Sequence, residues 1–250
     1  MELKSIFGVS AFALALAVPA AAAENQHWTY EGKHGADRWG QLDEKYALCE
    51  AGIMQSPIDL GKANAKGLID VSTDYHSGPL SILNNGHTIQ ANFAQGSTMT
   101  SGDVLFNLLQ VHFHTPSEHL VDGQSFPLTA HFVHASEEGK LAVLGIMFIE
   151  GAANQELGKL IKAAPTSKAD VVTVSGSTFD PAQLIPEKLE VYRYMGSLTT
   201  PPCSEGVNWH VVKKPVTASK SQIAAMTKIM GNNARPAQLL NGRLLVAPGR

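Results

Sequence analysis

The sequence predicts a mainly β protein, one domain built on a large, mostly antiparallel sheet with short helices at its periphery. Three observations point there. Apolar segments of strand length recur through the chain, a hairpin-type turn separates two of them, and only two stretches carry a helical pattern. Nothing in the composition marks a second domain, and 250 residues suffice to bury one sizeable core.

The strands follow in order. Leu80-Ser81-Ile82-Leu83 runs into Asn84-Asn85-Gly86, a turn signal, and residues 88–93 resume the apolar pattern. Residues 104–114 and 128–134 read as strands, and residues 141–149 form a continuous apolar run suited to a strand covered on both faces. Residues 207–212 supply another. The helical stretches are residues 154–163 and 220–230, the second preceded by Thr217 and Ser219 as candidate caps.

Residues 1–23 read as a leader outside the fold. Lys4 gives a positive head, residues 6–18 are mostly apolar, and Ala21-Ala22-Ala23 offers a cleavage site before polar Glu24-Asn25-Gln26. The apolar run is too short to span a bilayer. Cleavage near Ala23 leaves residues 24–250 as the folded domain, with no membrane segment, in a periplasmic or secreted location. A formal net charge of −3 and the lack of any basic stripe exclude nucleic acid as a partner. Export bears on the only two cysteines, Cys49 and Cys203. An oxidising compartment favours pairing them, whereas a reducing one would leave two buried thiols.

The chemistry is concentrated in Gln110-Val111-His112-Phe113-His114. Alternate residues of a strand share a face, so His112 and His114 project side by side. Two neutral imidazoles on one rigid strand chelate zinc readily. A third ligand comes from Ala130-His131-Phe132-Val133-His134. His131 and His134 lie on opposite faces, and spacing alone does not choose between them. Three histidines leave a fourth tetrahedral position for water, the mark of a catalytic zinc. A second constellation, Gly196-Ser197-Leu198-Thr199-Thr200-Pro201-Pro202-Cys203, reads as a stiff loop that holds hydroxyls in place.

In their order along the chain these segments resemble the alpha class of carbonic anhydrases. The resemblance extends from His27-Trp28-Thr29-Tyr30 and Trp39-Gly40 through Gln55-Ser56-Pro57-Ile58-Asp59, Asn84-Asn85-Gly86-His87 and Ser117-Glu118-His119. It ends with Val207-Asn208-Trp209 and Asn232-Asn233-Ala234-Arg235-Pro236. It implies a large twisted sheet with zinc at the bottom of a conical cleft, held by His112, His114 and His131. The implied reaction is reversible hydration of carbon dioxide to bicarbonate and a proton by attack of zinc-bound hydroxide.

Site roles follow from the same resemblance. Thr199 accepts from the nucleophile and donates to Glu118. Val133, Val143, Leu198 and Trp209 form an apolar pocket for carbon dioxide, with Thr200 beside it. His87 is the implied proton shuttle, an imidazole expected to titrate near neutrality, and Tyr30, Asn85 and Gln90 order the connecting water. Gln110 orients one ligand, and His119 lies beneath the site. Thr129 stands where the family usually has a glutamate that accepts the His131 imidazole proton, an expected partner too short for direct contact. The resemblance also implies a Cys49–Cys203 bridge, cis bonds at Ser56-Pro57 and Pro201-Pro202, and a homodimer. Non-catalytic relatives generally lack one of the zinc histidines, and all three are present here. Ester hydrolysis in the same cleft is expected only as a side activity.

Overall fold

A computed structural model describes residues 27–249, so the expected leader lies outside the described residues. Among the described residues there are thirteen strands in one sheet. The first five are β1 (Ala65–Gly67), β2 (Val71–Asp74), β3 (Gly78–Asn84), β4 (Ile89–Asn92) and β5 (Thr98–Ser101). The central group is β6 (Val104–His114), β7 (Leu128–Ala135) and β8 (Leu141–Glu150). The chain then forms β9 (Ala169–Phe179), β10 (Val191–Ser197), β11 (Glu205–Val212), β12 (Val216–Ala218) and β13 (Leu245–Pro248). The spatial order is β1-β13-β10-β11-β8-β7-β6-β4-β3-β9, with β12 on β8 and β5 bridging β2 to β6. Pairing is antiparallel except where β1 meets β13 and where β11 and β12 meet β8.

The sheet separates two apolar cores. Behind it, Val111, Phe113, Phe132, Leu144, Ile146 and Phe148 pack beneath the helices α3 (Gln155–Ala163) and α4 (Lys220–Met230). In front, Val133, Val143, Met147, Tyr194, Trp209 and Val211 form the second. Burial on both faces explains why residues 128–134 and 142–148 carry almost no exposed side chain. Asn154 caps α3 through the Leu157 amide. Of the two candidate caps for α4, Ser219 acts, in a reciprocal capping box with Gln222, while Thr217 belongs to β12.

The β6–β7–β8 register fixes the front face. His112 stands opposite His131, His114 opposite Thr129 and Gln110 opposite Val133, while His131 faces Gly145 and Val133 faces Val143. A bulge between Leu108 and Gln110 interrupts the β6–β7 ladder. At Gly196 on β10 a β-carbon would collide with Ser56 Oγ and stand 2.7 Å from the Tyr194 ring, so only glycine admits this close packing. Two short helices near the chain start, α1 (Trp39–Leu42) and α2 (Leu48–Ala51), cover one end, and Cys49 of α2 is disulfide-bonded to Cys203. Peptide bonds are cis at Ser56-Pro57 and Pro201-Pro202, as expected, and also at Thr115-Pro116. Among the described residues no helix is long and apolar enough to cross a membrane.

Candidate active site

The three histidines converge because the register brings β6 and β7 side by side. His112, His114 and His131 each present a ring nitrogen, and these atoms lie within 4.8 Å of one another. His134 turns to the rear face, where Nε2 meets the Tyr75 hydroxyl at 2.8 Å, so it cannot join them. The His112 ring is set by Nδ1 against Gln110 Oε1 at 2.9 Å, and the His114 ring by Nδ1 against the Asn233 carbonyl at 2.7 Å. Each therefore turns Nε2 inward. Asn233 is itself clamped, donating from Nδ2 to the His87 and Phe113 carbonyls and accepting the Thr115 amide on Oδ1.

Glu118 completes the cluster at 1% exposure. Its Oε1 accepts the Arg235 amide at 2.9 Å, and Oε2 lies 3.4 Å from His114 Nε2 and 3.7 Å from His131 Nδ1. Burial raises the Glu118 pKa, against the lowering effects of His114, the Arg235 amide, the Thr199 hydroxyl and the Arg235 guanidinium. Burial likewise holds His112 and His131 well below the ordinary histidine value, reinforced by neighbouring histidines, so both rings are neutral at pH 7.

His114 Nε2 and Glu118 Oε2 are buried without a hydrogen-bond partner. Buried polar atoms are rarely left so. Three imidazoles aimed at one point beside an unsatisfied carboxylate oxygen fit a divalent cation of zinc's ligand preference.

Around this centre the front core forms one wall. Val133, Val143 and Trp209 are buried together with Leu198 packed against them, and the Trp209 ring stands edge-on to His131 at 4.9 Å. Thr199 and Thr200 sit in the loop after β10. That loop is held by the Leu198 amide on the Ser204 carbonyl, the Cys203 amide on the Thr200 carbonyl and the disulfide. Beneath, His119 Nε2 pairs with the Tyr194 hydroxyl at 2.7 Å, which pairs in turn with Ser56 Oγ at 2.8 Å. Burial lowers the His119 pKa to about 3. A cavity of about 120 Å³ opens from His112 and Thr200 past Gln90, Tyr30 and Asn85 to His87 and Trp28.

One expectation needs correction. His87 does not titrate near neutrality in this arrangement. Its ring lies flat on Trp28 at 3.6 Å and beside His27 at 4.8 Å, and burial, His27 and Lys168 together lower its pKa to about 4. Thr129, expected to be too short for direct contact with His131, donates its hydroxyl instead to the Ile146 carbonyl at 3.0 Å. Along this cavity, Asn85 accepts the His87 and Thr88 amides, and Gln90 donates to Asn92.

The sequence pointed to no side-chain role for Asn233, Arg235 or Ser56. Arg235 is 2% exposed and donates to Gln55 Oε1, the Ser56 carbonyl and the Cys49 carbonyl, each at 2.8 Å. The signal available was a lone arginine set between Ala234 and Pro236.

A histidine triad on a central sheet that could hold a metal ion, with a buried carboxylate, a stiff threonine loop and an apolar wall, suits a metal-dependent lyase or hydrolase. The comparisons narrow this. Residues 34–248 match the family model for eukaryotic-type carbonic anhydrase. A carbonic anhydrase of Pectobacterium carotovorum is 41% identical over 237 residues, covering 94% of this chain and 97% of the relative. The alpha-carbonic anhydrase of Photobacterium profundum superposes with a TM-score of 0.82 at 45% identity, covering 88% of this chain and all (100%) of that one. The alpha-carbonic anhydrase of Thermovibrio ammonificans, solved with the inhibitor sulfanilamide, gives a TM-score of 0.85 at 42% identity, covering 88% and 98%. The chain belongs to the alpha-carbonic anhydrase family.

Proposed function

We propose that this chain catalyses reversible hydration of carbon dioxide to bicarbonate and a proton, with one zinc ion held by His112, His114 and His131. The observation that carries the reading is the convergence of three imidazoles, two of them fully buried beside Glu118. Bound there, zinc lowers the pKa of a coordinated water to about 7, a value already established for carbonic anhydrases.

The protein's own groups do the rest. Gln110 and Asn233 turn His112 and His114 so that Nε2 faces inward. The Arg235 amide on Glu118 Oε1 favours the ionised carboxylate. An ionised Glu118 accepts a hydrogen bond from the Thr199 hydroxyl, so Thr199 Oγ1 is left to accept one from the nucleophile. A nucleophile that still carries a proton is then oriented with a lone pair towards the substrate. Carbon dioxide is apolar, and Val133, Val143, Leu198 and Trp209 place it by proximity rather than by affinity, with Thr200 on the polar side. The released proton leaves along the cleft past Tyr30, Asn85 and Gln90 to His87. His87 must leave the Trp28 face to become basic enough to accept it.

The Cys49–Cys203 disulfide supports an oxidising compartment. We place residues 24–250 in the periplasm or secreted, after removal of residues 1–23, and expect a homodimer. The test is metal analysis with stopped-flow carbon dioxide hydration. One zinc per chain is expected, lost with activity in His112→Ala, His114→Ala and His131→Ala and retained in His134→Ala. Metal-replete protein that hydrates carbon dioxide no faster than buffer sinks the proposal.

A further inference from the structure

The three histidines are not held alike. A metal-binding imidazole is normally anchored through its second nitrogen, which fixes the ring and raises its basicity. His112 has Gln110 Oε1 at 2.9 Å and His114 has the Asn233 carbonyl at 2.7 Å. His131 has nothing. Its Nδ1 faces the cluster, 3.7 Å from Glu118 Oε2, and its Nε2 is buried with no hydrogen-bond partner.

The neighbours explain why. Thr129, two residues earlier on the same face, commits its hydroxyl to the Ile146 carbonyl at 3.0 Å. Gly145 stands opposite and presents no side chain; even a β-carbon there would only touch His131 Cδ2 at 3.8 Å. Trp209 covers the ring edge-on, and its indole N–H is committed to the Ser197 carbonyl at 2.9 Å.

We infer that His131 is the release point of the metal in this chain: two anchored ligands retain zinc and the third, unanchored, opens first. Zinc then exchanges through rotation of one ring, while His112 and His114 keep the site preformed for its return. The inference rests on the zinc reading above and adds to it an order of ligand loss set by Thr129.

The test uses the full zinc-loaded chain and a colorimetric chelator. Thr129→Ala should release zinc at the wild-type rate, because the hydroxyl anchors nothing at His131. Gln110→Ala should release it faster and Thr129→Glu slower, each by about 10–100-fold, the usual effect of losing or gaining such a partner. Thr129→Ala matching Gln110→Ala would overturn the inference, since the threonine would then be the anchor in solution. So would a folded Thr129→Glu that releases zinc at the wild-type rate. Should that variant not fold, long-range proton–nitrogen spectra of the wild-type zinc form decide. The His112 and His114 Nδ1 protons should resonate downfield as hydrogen-bonded, and the His131 Nε2 proton upfield of both. Three downfield protons would overturn the inference. A chain that takes up no zinc fails at the earlier reading and is recognised by metal analysis alone.

Discussion

Replacing Arg235 by methionine removes a buried cation while keeping most of the volume of its stem. Burial lowers the arginine's pKa only to about 10, with Glu118 opposing, so it is charged at neutral pH. The substitution strips three donated hydrogen bonds and leaves Gln55 Oε1, the Ser56 carbonyl and the Cys49 carbonyl buried with an acceptor to satisfy. It also removes the guanidinium lying 5.6 Å over Trp39. Each stranded acceptor costs about 1–3 kcal/mol. The three share one donor group and do not add independently, so about 3–5 kcal/mol is expected, comparable to breaking a buried ion pair. For a chain of this size Tm shifts by about 2–4 °C per kcal/mol, which gives a fall of about 6–20 °C. Differential scanning calorimetry of the metal-loaded protein at pH 7 reads it directly. The bond to Glu118 comes from the backbone amide, which methionine retains. Hydration measured well below the transition should therefore survive. A fall in Tm of less than about 2 °C, under about 1 kcal/mol, would refute the assignment of Arg235 as the tie between the cysteine helix and the floor of the site.

Other perturbations follow from the same structure. Reducing Cys49–Cys203, which spans a sequence separation of 154, should cost about 5 kcal/mol of chain entropy and lower Tm by about 10–20 °C; an unchanged Tm in reductant would count against it. Trp28→Ala removes the face that buries His87, so the imidazole pKa, followed by NMR, should climb from about 4 towards 6.5; a value that stays put would mean Trp28 is not the cause. His119, His134 and His210 are buried with pKa values lowered to about 3, 4 and 3. Unfolding lets each take up a proton below pH 6.5, so stability present above 6.5 is lost as pH falls towards 4, at up to about 1.4 kcal/mol per pH unit per group. Urea unfolding at pH 7, 6 and 5 should show this decline, and a flat profile would contradict it.

The ligand pair was legible because period-2 alternation makes His112 and His114 neighbours whatever the topology. The choice between His131 and His134 was not, since it depends on which face of β7 meets β6, a fact of register. Residues 141–149 stood out because a strand covered on both faces is a nearly continuous apolar run. By contrast β9, with Val171 and Val172 more than half exposed at the sheet's end, carries little burial pattern and went unread. Arg235 and Asn233 work through backbone carbonyls distant in sequence, and such bonds leave no periodicity. The His87 environment was missed for a related reason: its basicity is set by Trp28 and His27, some sixty residues upstream.

The bulge in β6 has a consequence for how the site tolerates change. Leu108 and Val111 are three apart, yet both pack into the rear core. That parity is possible only because Leu109, 44% exposed, is an uncounted step between Leu108 and Gln110. The bulge therefore sets the phase of everything after it. Were Leu109 an ordinary step of a regular ladder, keeping Phe106 and Leu108 inside would swing Gln110, His112 and His114 to the rear and bring Val111 and Phe113 into the cleft. Exchanging the Leu109 side chain or deleting the residue should both leave the imidazoles in the cleft, because the step it adds is one the ladder does not count.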